Sequence, residues 1–223
     1  PGLSLAVRAE TFYSLATGIG REVLQCPDRP ESIASAAEVV RTAFSFLAGG
    51  REMLHRIMHL MMGRQDLASS AVNVTNYGLA LAWASGMRNS PEVLDLGLGL
   101  FLHDVGLRLI PEKIQEKKGP LSFEEICIWR QHPLFGVDLY ERQRLLPARA
   151  IWVIRDHHER CDGSGYPRGI AAGSLSMEAR IAQIATTFDE LTTGTLSRRA
   201  VSSFEAKRRQ TMHHVSASPS QNG

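Results

Sequence analysis

The residues with the clearest chemical potential are histidines and one aspartate set at the ends of apolar stretches. His103-Asp104 closes the run Leu96–Leu102, His157-His158 closes Ile151–Asp156, and His132 precedes Pro133 near the end of a third run. An imidazole or carboxylate buried there without a partner costs several kcal/mol, so each needs one. A cation shared among three helices would satisfy all of them at once. Neutral imidazole with carboxylate suits iron, manganese, zinc or nickel. Such an ion lowers the pKa of bound water and stabilises charge on a phosphoryl group, which is the chemistry of phosphoester hydrolysis. The alternative, that these are core or capping histidines, explains any one of them but not two doublets at apolar helix ends. His55 and His59 also share a helix face at a spacing of four, but they read as partly exposed helix residues.

Positioning such a cluster requires several helices, and helical periodicity dominates the chain. Residues 32–48 carry Ile33, Ala36, Val39, Val40, Ala43, Phe44 and Leu47 at steps of three and four, one apolar face. Met53, Met58, Met61 and Met62 follow and read as core filler. Further helices are expected over 67–85, 91–105, 147–159 and 176–193. Ser90 before Pro91 is a candidate cap. Ser122 is another, with Glu124 and Glu125 in the first turn where the helix dipole favours anions. Residues 161–169, Cys-Asp-Gly-Ser-Gly-Tyr-Pro-Arg-Gly, are rich in turn formers and read as a loop. No strand alternation or fixed-period repeat is visible.

Composition narrows the functional classes. The chain has 223 residues, 43% of them hydrophobic, enough for a sizeable core. A formal net charge of +2 and a 7% aromatic content give no footprint of a nucleic-acid polymer as partner. Cys26, Cys127 and Cys161 are widely spaced without a CxxC pair, as expected for reduced thiols in a cytoplasmic protein. No run of about 18 apolar residues suggests a membrane span. Pro1 in place of a starting methionine reads as the start of a fragment or of a processed chain, from which an upstream sensor domain or a signal is removed. The expected organisation is an N-terminal helical segment over 1–62, a main domain over 63–204, and a polar, basic tail over 205–223 in which His213-His214 is incidental.

The quoted residues resemble the HD-GYP family. His103-Asp104-Val105-Gly106 with Ile110-Pro111 is similar to its HD block, and Gln131-His132-Pro133 with Gly136 to the next. His157-His158-Glu159-Arg160-Cys161-Asp162-Gly163-Ser164-Gly165-Tyr166-Pro167 is nearly letter-perfect for the GYP signature, and Arg180-Ile181 with Phe188-Asp189-Glu190-Leu191-Thr192 resembles the block after it. The resemblance runs in order from about residue 66 to about residue 200. It implies an all-α fold: an HD-domain helical bundle with an N-terminal helical extension and an irregular GYP loop. It also implies metal-dependent hydrolysis of cyclic di-GMP to pGpG or GMP in bacterial signalling and contacts of the loop with diguanylate cyclase domains. Apart from the resemblance, the apolar helices over 32–62 are expected either to pack on the bundle or to pair with another copy as a homodimer.

Residue by residue, the resemblance implies that Asp104, His132, His157 and His158 hold one divalent transition metal, with iron or manganese the first candidates. His103 and Asp66 belong to a weaker second site. His103 and Asp104 are the catalytic pair. Tyr166, Gly165, Pro167, Arg198 and Arg199 contact substrate. The chain departs from the pattern at Ser70, where the first ligand histidine belongs, at Thr186, where a late aspartate belongs, and at Leu107 and Thr195, where a lysine and an arginine belong. Hydroxyls are weak ligands without compensating charge. One well-formed and one crippled metal site are therefore expected, with impaired turnover. The alternative is a degenerate domain that binds a cyclic dinucleotide or a partner protein without efficient hydrolysis.

Overall fold

A computed structural model describes residues 4–48, 66–88, 91–142 and 144–193, with isolated residues between 52 and 61. Ser90, Met53, Met58, Met62, His55, His59, Thr195, Arg198, Arg199 and the tail expected over 205–223 lie outside the described residues. The helices are α1 (Leu5–Gln25), α2 (Pro30–Ala48), α3 (Leu67–Ala84), α4 (Pro91–Leu102), α5 (Glu112–Gln115), α6 (Phe123–Trp129), α7 (His132–Glu141), α8 (Ala148–Asp156) and α9 (Met177–Thr193), with 3-10 turns at Val105–Leu109 and Ala172–Ser174. Among the described residues there is no strand, only an isolated bridge between Asp162 and Ala171. The fold is all-helical, as the periodicity predicts. No described helix is long and apolar enough to cross a membrane.

The centre of the bundle is α3, which packs against α1, α2, α4 and α9. It is buried on nearly every side, as befits a helix apolar around most of its circumference. Its buried hydroxyl Thr75 and amide Asn76 donate back to the carbonyls of Ala71 and Val72. One core runs from Ala9 and Tyr13 on α1, through Val40, Leu79 and Leu100, to Ile154 and Ala182. The first two helices thus share their buried surface with the helices that carry the histidines. Met61 is fully buried in this core, as expected for a filler.

A satellite core of Leu107, Ile110, Ile114, Leu121, Ile126 and Trp129 lies under the segment after Asp104. It seats α6, whose start is fixed by a capping box: Ser122 Oγ accepts from the Glu125 amide while the Glu125 carboxylate accepts from the Ser122 amide. Two expected helix ends fall earlier than predicted. α4 stops at Leu102, so His103 and Asp104 sit in a turn, and α8 stops at Asp156, so His157 and His158 sit just beyond it. Leaving the helix frees these side chains from the helical path.

The turn after Asp104 is pressed onto α7. A Cβ at Gly106 would stand 1.9 Å from the His132 carbonyl oxygen and 2.6 Å from the Gly136 nitrogen. Both obstacles are backbone, so neither yields cheaply, and only glycine lets the two segments meet. Gly106→Ala should lower stability by about 1–3 kcal/mol or more, the scale of overpacking in a tight interior. Urea denaturation checks this, and an unchanged midpoint would refute the close packing.

Candidate metal centre

Three of the histidines, His103, His132 and His157, are each aimed by the carbonyl three residues before it. His103 Nδ1 lies 2.8 Å from the Leu100 carbonyl, His132 Nδ1 2.9 Å from that of Trp129, and His157 Nδ1 2.8 Å from that of Ile154. These carbonyls belong to the last turns of α4, α6 and α8, where helix geometry leaves oxygens without an intrahelical donor. A carbonyl can only accept, so each Nδ1 carries the proton, and in the neutral ring the Nε2 lone pair points the other way.

Those lone pairs converge on Asp104. Its Oδ2 is 3.1 Å from His103 Nε2, and its Oδ1 is 3.1 Å from His132 Nε2 and 3.5 Å from His157 Nε2. His158 stacks beside His157 with ring centroids 4.2 Å apart. Asp104, His132, His157 and His158 together present one ligand atom each, all within 4.8 Å of one another. His132 Nε2 and His157 Nε2 are only 3.2 Å apart. Two neutral imidazoles with both Nδ1 protons committed elsewhere would face lone pair to lone pair across that gap. A cation removes the conflict, and three imidazoles with one carboxylate are a suitable donor set for a divalent transition metal. The four residues fit a metal ion and form a candidate metal-binding cluster.

The local electrostatics keep His157, His158 and Asp104 in ligand form. Burial favours the uncharged ring and holds His157 down to about 4, and it holds His158 well below the usual histidine value, with the neighbouring histidines adding to the effect. Burial alone would raise the Asp104 carboxyl, but contact with His103, which brings positive charge when protonated, and with His132 and His157 outweighs it and holds the group well below the usual carboxylate range. At His103 burial is likewise overcome, by Asp104, and the value rises.

The remaining expected residues go different ways. Asp66 does not join the cluster. It caps α3 by accepting from the Ser69 amide at 2.6 Å and pairs with Arg21 at 2.9 Å. Ser70 Oγ donates to Asp189 Oδ2 at 2.7 Å, and Asn73 Nδ2 donates to Asp189 Oδ1 at 2.8 Å. Asn73 in turn accepts from the Tyr13 hydroxyl of α1 at 2.9 Å. Thr186 Oγ1 lies 3.0 Å from the Ala182 carbonyl and 3.3 Å from that of His157. Leu107 is buried in the satellite core.

Tyr166 stacks on His158, with centroids 4.5 Å apart and ring planes at 18°, and it stands edge-on to His132 at 6.2 Å. Gly165 is required by contact: a Cβ there would lie 2.4 Å from the Arg160 nitrogen and 2.6 Å from the His158 carbonyl oxygen. The Tyr166 amide then donates to that same carbonyl at 3.2 Å. The Tyr166–Pro167 peptide is cis.

Sequence reasoning gave no role to Glu159, yet it is fully buried and organises the loop. Its Oε1 accepts from the amides of Arg168 at 2.6 Å and Gly169 at 3.1 Å, and its Oε2 from the amide of Ile170 at 3.0 Å. Asp156 holds the same loop through Arg168 and is also paired with Arg155. The available signal was position: a carboxylate directly after two candidate ligand histidines and before a turn-rich stretch. Asn73 and Asp189 were equally visible as polar residues in apolar helices, but their pairing spans 116 positions.

Two expectations follow. Glu159→Gln replaces one acceptor oxygen by an NH2 facing the Ile170 amide, so the loop should open, and limited proteolysis should cut within residues 160–170 several times faster than in the parent. Equal cutting rates would remove Glu159 as the loop's anchor. The second concerns pH in the metal-free chain. Unfolded histidines titrate near 6.5, while folded His157 stays neutral down to about 4. The unfolded chain therefore binds more protons between those values, and stability should fall as pH drops from about 6.5 toward 4. His158 acts in the same direction, and Asp104 adds a loss in stronger acid. His103 acts oppositely, its contribution being full in acid and lost as pH rises through its folded value. Denaturation of chelator-treated protein at pH 7 and pH 5 should show lower stability at pH 5, a difference reduced in His157→Ala.

The HD domain family model matches residues 53–213. The chain is 32% identical over 143 residues to the cyclic di-GMP phosphodiesterase response regulator RpfG of Xanthomonas campestris, covering 63% of this chain and 38% of that protein. It is 34% identical over 119 residues to a cyclic di-GMP phosphodiesterase of Pseudomonas aeruginosa, covering 53% of this chain and 29% of that one. It is 36% identical over 116 residues to 3'3'-cGAMP-specific phosphodiesterase 2 of Vibrio cholerae, covering 52% and 20%. The chain thus spans well under half the length of these curated relatives. Among solved structures it is similar to Bd1817, an HDG"Y"P protein from Bdellovibrio bacteriovorus, with a TM-score of 0.75, 21% identity, and coverage of 93% of this chain and 68% of that one. That likeness shows a shared fold. With the family match spanning most of the chain and the HD and GYP segments folded around one cluster, the protein belongs to the HD domain family, as a member of its HD-GYP group.

Proposed function

We propose that this chain is a metal-dependent phosphodiesterase domain acting on cyclic di-GMP, releasing pGpG or GMP, with a single competent metal site and reduced turnover. The observation that carries this reading is the convergence of Asp104, His132, His157 and His158 within 4.8 Å under the Tyr166 loop. Iron or manganese is the preferred ion, since mixed imidazole and carboxylate donors suit both. When bound, it supplies Lewis acidity toward a phosphoryl oxygen. The protein's own part is orientation: helix-end carbonyls aim the imidazoles, Asp104 faces His103, His132 and His157, and the loop lays an aromatic wall beside His158. The substrate class comes from the relatives whose names carry it.

Reduced turnover is supported by the second site's missing donors. Ser70 and Thr186 offer hydroxyls already engaged with Asp189 and with main-chain carbonyls. The same observation favours a second reading, a domain that binds the dinucleotide or a partner protein with little hydrolysis.

Elemental analysis should find close to one tightly bound transition metal per chain, and two would overturn the single-site reading. Hydrolysis of cyclic di-GMP with added manganese or iron should be slow and should vanish in His157→Ala. Ser70→His combined with Thr186→Asp should raise the rate at least tenfold, about 1.4 kcal/mol of barrier. Strong turnover in the parent would exclude the binding-only reading.

A further inference from the structure

The first helix carries an apolar pattern that the fold of one chain leaves uncovered. Leu15 stands at the midpoint of α1, between Leu5 and Gln25, and is 63% exposed. It borders an apolar groove of about 310 Å³ between α1 and α2, lined by Phe12, Ala16 and Ile19 from the first helix and by Val39 and Phe46 from the second. Gly18 leaves room nearby, since a Cβ there would meet nothing within 4 Å. Tyr13 and Gly20, on the far side of α1, already meet α3 at Asn73 and Ala68. Both helices precede the family match over 53–213.

Two charges flank this pattern. Arg8 lies seven residues before Leu15 and Glu22 seven residues after it. Seven residues are close to two helical turns, so all three share one face, with each charge about 10 Å from the centre. Arg8 and Glu22 are both exposed, and no ion pair among the described residues includes either. The Arg8 guanidinium rests over the groove wall, its Cζ 5.6 Å from the Phe46 centroid.

These positions complement themselves. Lay a second α1 antiparallel on the first, with a twofold axis at Leu15, and each position faces the one equally far beyond Leu15 on the other copy. Arg8 then meets Glu22 of the second copy at one end, and Glu22 meets Arg8 at the other. A parallel pairing would set arginine against arginine and glutamate against glutamate, so the charges select the antiparallel arrangement. A twofold interface uses the same patch on both subunits, and this patch satisfies that requirement. Because Leu15 is the midpoint, the two helices overlap along their whole length.

We propose that the chain forms a homodimer through this face, with each Leu15 buried against the other copy's groove and Arg8 paired with Glu22 across the axis. The surface involves none of the candidate metal ligands, so the inference stands apart from the phosphodiesterase reading.

Sedimentation velocity of the full chain over a wide range of concentrations tests it. The parent should pass from monomer to dimer as concentration rises, and Leu15→Asp should stay monomeric throughout. Arg8→Glu places like charges at both ends and should raise the dimer dissociation constant at least about tenfold, as should Glu22→Arg, while the two together should return it to near the parent's. Leu15→Cys under mild oxidation should give a dimer that peptide mapping shows to be linked at position 15. A parent that is monomeric at every concentration overturns the inference. So does a dimer that survives Leu15→Asp, or one in which Leu15→Cys forms no link at position 15, because another surface then holds it. Failure of the double charge exchange to restore pairing overturns the antiparallel register and the proposal with it.

Discussion

The centre depends on one repeated interaction, the hydrogen bond from a histidine Nδ1–H to a carbonyl in the last turn of a helix. It occurs at Leu100, Trp129 and Ile154. The ends of α-helices leave carbonyls unpaired, and here each unpaired oxygen is used to fix a tautomer and a ring orientation. The three Nε2 lone pairs then meet around one carboxylate. The arrangement is costly without a positive charge, because His132 and His157 confront each other at 3.2 Å. Burial keeps His157 from relieving that conflict by taking a proton at neutral pH.

On the side where Ser70 and Thr186 stand, the structure has a different solution to the same problem of buried polarity. Asp189 is buried, which pushes its carboxyl up despite bonds from Ser70 and Asn73. Asn73 passes the connection on to Tyr13. A hydrogen-bonded chain thus ties α1, α3 and α9 together next to the cluster. Its outermost member belongs to a helix that precedes the family match over 53–213, so the first helix of the chain reaches the border of the site.

The loop over the centre has its own internal support. Glu159 gathers three consecutive backbone amides, and Gly165 allows the chain to lie directly on the His158 carbonyl. Together they place Tyr166 flat against His158. A loop rich in glycine would otherwise sample many conformations. A buried carboxylate accepting several amide bonds confines it, and the anchoring residue directly follows the candidate ligands His157 and His158.

The sequence by itself determined the helical class, through apolar residues at steps of three and four, and it marked the candidate metal donors as polar residues where apolar runs stop. Those features are local, so they can be read along the chain. It could not show that Asp66 caps α3 and pairs with Arg21, or that Glu159 anchors the loop. Nor could it show that Ser70 spends its hydroxyl on Asp189, 119 positions away. Each of these depends on which segments the core presses together. A side chain's partner is set by distances in space, and spacing along the chain carries that information only within a turn or two of helix.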